Sequence, residues 1–261
     1  MAWLRLFAVF TRIGALNELA YRVNFAVQAL ESVVAASTVL GAVAVVFSQT
    51  DRLGDWQVWE LVALIGVYFL VLGMINLVLA PSMAKFMEDV QQGTLDFTLT
   101  KPEDAQVLVS VSQVQVWKVI DILVGVGLLA VSIHRLGDTL GVLEASAFVV
   151  TLLAGAAIVY SLWIMLATLT FWFIRIENIL MVFWNVYIAG RWPVTIYPSW
   201  LRLLLTVVVP IAFAVTVPAE AISGRLSALT LLSSVGLAVV MLIVSRWFWR
   251  FGLKRYSGAS A

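Results

Sequence analysis

The chain has 261 residues, of which 62% are hydrophobic and 12% are charged, and its net charge is +1. Soluble domains are typically about 45–50% apolar and about 25% charged, so this composition excludes a soluble globular protein and indicates an integral membrane protein. The near-zero charge points away from nucleic acid as a partner. With no cysteine and one histidine, His134, disulfides, thiolate nucleophiles and cysteine-based zinc sites are excluded.

The first segment, residues 3–20, is too interrupted by charge to cross a membrane. Its apolar residues recur at three-residue spacing, which places them near one helix face: Leu4, Phe7, Phe10, Ile13 and Leu16. We therefore predict an amphipathic helix lying on the inner membrane surface. The segment has no small-residue cleavage site, so a removed signal peptide is not expected.

Six apolar segments are predicted to span the membrane, for which a helix needs about 20 mostly apolar residues. They are residues 25–47, 61–80, 116–133, 145–174, 179–189 and 226–249. We expect Pro81 to stop the second segment, because proline lacks a backbone donor and clashes with the preceding turn.

Residues 201–224 form a further apolar segment that carries Pro210 and Pro218 and turns at Gly224. Broken backbone in a membrane occurs where protein or water covers it. We predict a broken or re-entrant helical pair here. A kinked seventh span is the alternative.

The distribution of lysine and arginine favours six spans with both termini inside. Ten of these cations then lie on the inner side and five on the outer side, as the positive-inside rule requires. A seventh full span would place the basic tail around Arg246 and Lys254 outside, which counts against it.

Ionisable residues within spans suggest function by default. Lys118 and Asp121 are three residues apart, so they can share a helix face, and we expect a structural ion pair. Glu31 lies on a stripe of small and polar residues and is expected to face protein, at a packing interface or a pathway. Glu220, after Pro218, could cap a half-helix or meet a substrate at the outer mouth.

The loop after the second span is short and has a net charge of −3. Its charged residues are Lys85, Glu88, Asp89, Asp96, Lys101, Glu103 and Asp104. We predict that Gly93 ends the emerging helix in a left-handed conformation and that residues 94–100 form a short extended or one-turn piece. Pro102 is predicted to start a new helix, with Glu103 and Asp104 in its first turn. A negative inner loop favours docking to a protein over anionic lipid, and a solvated loop is the alternative.

No nucleotide-binding loop is present in the sequence. Such a loop needs Gly-Lys-Ser/Thr after a glycine-rich turn, and the residues before the four lysines are Ala84, Thr100, Trp117 and Leu253. Any ATP would therefore be hydrolysed by another subunit.

The stretch QQGTLDFTLTKPEDAQ resembles a pattern of permease subunits of type-2 ABC exporters. The matching positions are Gly93, Leu95, Asp96, Phe97, Leu99, Lys101 and Pro102. LNELAYRVNFAVQAL resembles the family's entry into the first span, with Tyr21 and Arg22. VVPIAFAVTVPAEAISG resembles the segment before the last span, with Pro210, Phe213, Pro218 and Ala219. The resemblance is closest to permeases of about 260 residues and six spans that lack a nucleotide-binding domain of their own.

This resemblance implies an all-α integral membrane fold: an interface helix, six spans, a coupling helix within 82–106 and a broken segment between the last two spans. It implies a pathway between two permeases, identical or related, in the cell membrane. Two ATPase subunits would bind ATP and Mg²⁺, and this chain would hold no cofactor. A second inner contact is implied at the turn 175–178, with Arg175 and Glu177.

Other functions predict different sequence features. A secondary transporter should show interrupted spans in both halves, whereas one segment is strongly interrupted here. An intramembrane enzyme would require clustered His, Asp or Glu. A scaffold subunit without transport is the remaining alternative. The apolar spans would suit lipids or hydrophobic drugs as cargo, and export as the direction rests on analogy with the family.

Overall fold

The structure, a computed structural model, describes residues 22–137, 141–173 and 177–256, with side chains from residue 26 in the first range and residue 180 in the third. The predicted interface helix at 3–20 and Arg175 lie outside these ranges. Within the described ranges the chain forms helices and turns, with no named strand. The predicted all-α membrane fold is confirmed.

The helices connect short turns in chain order. They are α1 (Arg22–Phe47), α2 (Val58–Gln92), α3 (Asp96–Leu99), α4 (Ala105–Ser110), α5 (Val116–Leu136), α6 (Val142–Phe171), α7 (Glu177–Tyr187), α8 (Ser199–Val208), α9 (Ala212–Ile222) and α10 (Ala228–Leu253). We call the membrane side that carries residues 93–106 the elbow face, and the side that carries residues 48–57 the opposite face.

Five of the described helices are long and apolar enough to cross a membrane, namely α1, α2, α5, α6 and α10. The segment predicted as the fifth span corresponds to α7, which has 11 residues. At 1.5 Å per residue these reach about 16 Å, against about 30 Å of hydrocarbon, so α7 alone is too short. The α8–α9 pair, bent by 80°, is the sixth candidate.

The prediction that Pro81 stops the second span is wrong, because α2 continues through it to Gln92. A π-helical stretch, Ile75–Leu79, precedes the proline. Pro81 then lies in the first turn of the stretch Ala80–Gln92, where its missing donor is tolerated. The carbonyl of Leu77, four residues earlier, accepts instead from the backbone N–H of Gln115 at 2.7 Å.

The centre of the fold is α2, which is buried along most of its length, whereas α1, α5 and α10 remain largely exposed. It packs against α5 and α9, and α6 packs against α9 and α10. Small residues allow these close approaches. A Cβ on Gly66 would lie 3.0 Å from the carbonyl oxygen of Gly125, and one on Gly155 would lie 2.8 Å from the Cα of Ala214.

The contact between α2 and α5 can be tested at two glycines of α5. A Cβ on Gly125 would meet backbone atoms, the nitrogen of Leu70 at 2.6 Å and the carbonyl oxygen of Gly66 at 2.7 Å. We expect Gly125→Ala to lower the free energy of unfolding by about 1–3 kcal/mol, because neither backbone can move without separating the helices.

Gly127 is the matched control, since a Cβ there meets nothing within 4 Å. Gly127→Ala should be neutral or stabilising by up to about 1 kcal/mol, the helix-propensity gain. Unfolding of the purified protein in detergent measures both variants. Equal stability of the two would contradict the close packing.

Candidate coupling site and membrane polar clusters

The end of α2 is fixed by a glycine cap. Gly93 has φ 71° and ψ 14°, the left-handed conformation predicted from the sequence. The carbonyl of Asp89 accepts from the backbone N–H groups of Thr94 at 2.9 Å and Leu95 at 3.2 Å. The side chain of Leu95 is fully buried, so the chain turns back onto the core directly after the helix. We call residues 93–104 the elbow.

The rest of the elbow differs in part from the prediction. Asp96–Leu99 forms one helical turn, as one of the two predicted forms. However, α4 begins at Ala105 and not at Pro102. Asp104 has an extended backbone, and its carboxylate accepts from the N–H of Gln106 at 3.0 Å. It is therefore the N-cap, and Glu103 lies in the bend before it.

The charged residues of the segment divide into paired and exposed ones. Lys85 pairs with Glu88 at 3.5 Å and Asp89 at 2.8 Å along the end of α2. Lys101 and Glu103 are exposed. Asp96 lies near Tyr256, after the end of α10, and burial together with the charge of Asp96 raises the pKa of the Tyr256 hydroxyl.

Asp104 is held by the last span. Arg246 of α10 donates from both terminal nitrogens to the two carboxylate oxygens of Asp104, with Nη1 to Oδ1 at 2.9 Å. Nη1 also donates to Oε1 of Gln106 at 2.8 Å. The hydrogen bond from Arg246 lowers the pKa of Asp104. A bidentate, charge-assisted pair of this kind fixes orientation as well as distance.

The same network continues to α6. Nε2 of Gln106 donates to the hydroxyl of Tyr160 at 3.2 Å, and the hydroxyls of Ser110 and Tyr160 are 3.0 Å apart. We call Asp104, Gln106, Ser110, Tyr160 and Arg246 the latch. It joins the end of the elbow to α6 and α10. Asp104 was predicted for contact with an ATPase, but its carboxylate is engaged within the chain.

The predicted ion pair between Lys118 and Asp121 is wrong. Lys118 Nζ donates to Oε1 of Gln28 at 2.8 Å, and the hydroxyl of Ser32 donates to Oδ1 of Asp121 at 2.5 Å. Lys118 belongs to a 3₁₀ turn, Val116–Lys118, and not to the α-helical part that carries Asp121. The two side chains therefore leave α5 in different directions, and each ties α5 to α1.

Glu31 was expected to face protein. Within the single chain its side chain is exposed, whereas the neighbouring Ser32 is buried. The expectation is therefore not met by contacts inside this chain.

The predicted broken segment between the fifth and last spans is confirmed. The helices α8 and α9 meet at 80°, and Pro210 lies in the break between them. Pro218 lies in the first turn of the stretch Val217–Ile222, where no donor is lost. Phe213 packs beside α6 and α10. Glu220 is partly buried, and its carbonyl accepts from the N–H of Arg225 at 3.0 Å.

On the opposite face an ion pair missed by the sequence analysis joins α2 to the end of α9. Arg225 donates to the buried carboxylate of Glu60, which also accepts from the N–H of Gln57 at 2.7 Å. The guanidinium lies 5.4 Å from the ring centre of Trp56, and the Trp56 indole donates to Thr195 at 3.2 Å. The Gln57–Glu60 spacing of a capping box was the signal available in the sequence.

The second predicted inner contact is described in part. Arg175 and the side chain of Glu177 lie outside the described residues. However, the end of α2 and the start of α7 line one cleft of about 210 Å³, with Met87, Glu88, Gln91 and Leu180 on its walls. Phe173, just before this turn, is 61% exposed. The elbow end of α2 and the turn before α7 are therefore neighbours.

Asp104→Asn isolates the ionic part of the latch, because asparagine still caps a helix. We expect a loss of about 0.5–1 kcal/mol in the free energy of unfolding, at the low end because both charges are about one third exposed. Amide exchange at residues 105–110 should quicken, and Arg246→Lys, which cannot bond in two places, should have the same effect. Arg250→Lys, exposed one turn further along α10, is the control and should change neither quantity.

The latch should also depend on pH in one direction. Because Arg246 lowers the pKa of Asp104 below 3.8, its usual value, the stabilisation is complete above that pH and is lost as pH falls through the folded pKa. The exchange difference between the wild type and Asp104→Asn should persist at neutral pH and vanish in strong acid. A difference that grew on acidification would contradict the ion pair.

Comparison with protein families agrees with this architecture. Residues 33–260 match the family model described as ABC-2 family transporter protein, a range that includes α2, the elbow, the α8–α9 pair and α10. A search of curated proteins found no match. The resemblance inferred from the elbow and from the segment before the last span is thereby confirmed. The chain belongs to the ABC-2 transporter family and is a multi-pass permease component of an ABC transporter.

Proposed function

We propose that this permease is the membrane half of an exporter and that ATPase subunits drive it through the elbow. Two ATPase subunits, which bind ATP and Mg²⁺, would dock on the elbow face. A second permease, identical or related, would complete the pathway. The observation that carries this proposal is the side chain of Phe97, which is 74% exposed on a structured turn.

Phe97 is presented on a rigid support. Leu95, two residues earlier, is fully buried, and the turn is closed by backbone bonds from Leu99 to Leu95 and from Thr100 to Asp96, both at 3.1 Å. Exposed aromatic residues on rigid turns are typical anchors of protein interfaces, and a polar rim commonly surrounds them. The exposed Lys101 and Glu103 supply such a rim.

The connections of the elbow suggest how a push at Phe97 would reach the spans. Leu95 attaches it to the core beside α2, and the latch attaches it to α6 and α10 through Tyr160 and Arg246. A displacement of the elbow would therefore move three spans together. The adjacent turn near Phe173, with Arg175 and Glu177, would add a second contact for the same ATPase.

The charge distribution supports the sidedness of this arrangement. With the elbow face in the cytoplasm, the basic end of α10 and the elbow lie on the same side, as the positive-inside rule favours. Both termini would then be cytoplasmic, and residues 3–20 would lie on the inner surface of the cell membrane.

Glu31 supports a second permease. Its side chain is exposed on α1, a candidate span, and a carboxylate facing hydrocarbon is costly. A second permease packed against this face of α1 would cover Glu31 with protein or a watery pathway. Lys118 and Asp121 bond to α1 one turn either side and would hold that face in place.

Phe97→Ala tests the docking site. We expect about tenfold weaker binding to the partner ATPase, because truncating a central aromatic anchor typically costs more than 1 kcal/mol. Co-purification and permease-stimulated ATP hydrolysis are the measurements. Trp200→Ala, at a residue 68% exposed on α8, is the matched control and should bind normally.

Glu103→Lys tests the rim without disturbing the latch, unlike any change at Asp104. It should weaken binding in a manner that depends on salt. Unchanged complex yield and unchanged coupled hydrolysis in both Phe97→Ala and Glu103→Lys would refute docking at the elbow.

A further inference from the structure

A cavity of about 250 Å³ lies between α2, α6 and the end of α4. Its walls include Val71, Ile75 and Leu79 of α2 and Val159 and Tyr160 of α6, and almost all lining atoms are carbon. Well-packed interiors have few voids larger than a water molecule. A space of this size inside the wall of one permease therefore needs an occupant.

The cavity has a local cause in the sequence. It lies beside the π-helical stretch Ile75–Leu79, where the helix accommodates an extra residue per turn and its side chains are displaced. On the facing helix the wall contains Ala156, whose methyl group leaves the space unfilled.

Water is a poor occupant of this cavity. The hydroxyls of Ser110 and Tyr160 are the polar groups on its wall, and they already bond to each other at 3.0 Å. Ser110 also donates to the carbonyl of Gln106 at 2.6 Å. An apolar cavity without free polar partners stays dry and takes up apolar molecules.

We propose that one alkyl chain of a bilayer lipid occupies this cavity. The volume exceeds the roughly 150 Å³ that holds benzene in an engineered cavity. It falls below the roughly 300 Å³ at which pockets for whole ligands begin. Both α2 and α6 are candidate spans, and Met74 and Val78 at the rim are partly exposed. The bilayer therefore offers chains directly at the opening.

The chain would act on the latch through Tyr160, which belongs to both. Its ring lines the cavity, and its hydroxyl bonds to Gln106 at 3.2 Å. A bound chain holds α2 and α6 at a fixed spacing and keeps Tyr160 in position for Gln106. This role goes beyond the proposed docking of ATPase subunits and does not require it.

Photolabelling of the full-length permease, without ATPase, tests the proposal. The protein is placed in phosphatidylcholine vesicles in which a small fraction of lipid carries a diazirine in one acyl chain, and labelled peptides are mapped by mass spectrometry. We expect label on residues 71–79 of α2. Ala156→Phe fills the cavity and should reduce that label about tenfold, as losing burial of two chain methylenes suffices.

Leu153→Phe is the matched control, since Leu153 is 64% exposed on the same helix, and it should leave the label at 71–79 unchanged. If Ala156→Phe does not fold, Val78→Phe closes the cavity from α2 and should give the same loss. Label at 71–79 that persists in both filled variants would overturn the proposal. Label that appears only when ATPase and ATP are added would also overturn it, because the occupant would then be a transported amphiphile. Neither result bears on docking at Phe97.

Discussion

Inside a bilayer every backbone donor and acceptor must find its partner within the protein, and α2 depends on this constraint most directly. Pro81 cannot donate, so the carbonyl of Leu77 is left free and accepts from the N–H of Gln115. One residue after the proline, the hydroxyl of Ser82 donates to the carbonyl of Gln113 at 2.9 Å and accepts from its N–H at 3.1 Å. The segment leading into α5 is therefore fastened to α2 at the proline, and α2 can continue to the elbow.

This attachment determines what the elbow can do. A span that ended at Pro81 would be followed by a loose loop, whereas here a continuous helix carries the chain to Gly93. The cap at Gly93 and the buried Leu95 then fix the elbow to the core, and Asp104 fixes its far end to Arg246. A segment held at both ends transmits displacement as a lever, which suits a part that converts nucleotide-driven motion into movement of spans.

The features predicted correctly from the sequence depend on neighbours in the chain. Gly93 needs only its own freedom at positive φ to cap a helix, and the break near Pro210 follows from the missing donor of proline. The errors concern partners far apart in sequence. Pro81 is rescued by Gln115, Lys118 bonds to Gln28 and not to Asp121, and Asp104 is taken by Arg246, 142 residues away. Local pattern contains no information on these pairings, because they arise when helices pack.

The two ends of α2 are constrained differently from its middle. On the opposite face Glu60 is bound by Arg225, which follows the bent α8–α9 pair, and on the elbow face Lys85 and Asp89 lead into the elbow. Between them lies the stretch Ile75–Leu79, where the helix is π-helical and beside the apolar cavity. A helix held at both ends changes shape most easily where its hydrogen bonding is already irregular and its packing is loosest. Motion that starts at the elbow would therefore bend α2 at this stretch, and the outer end would respond through Glu60 and Arg225.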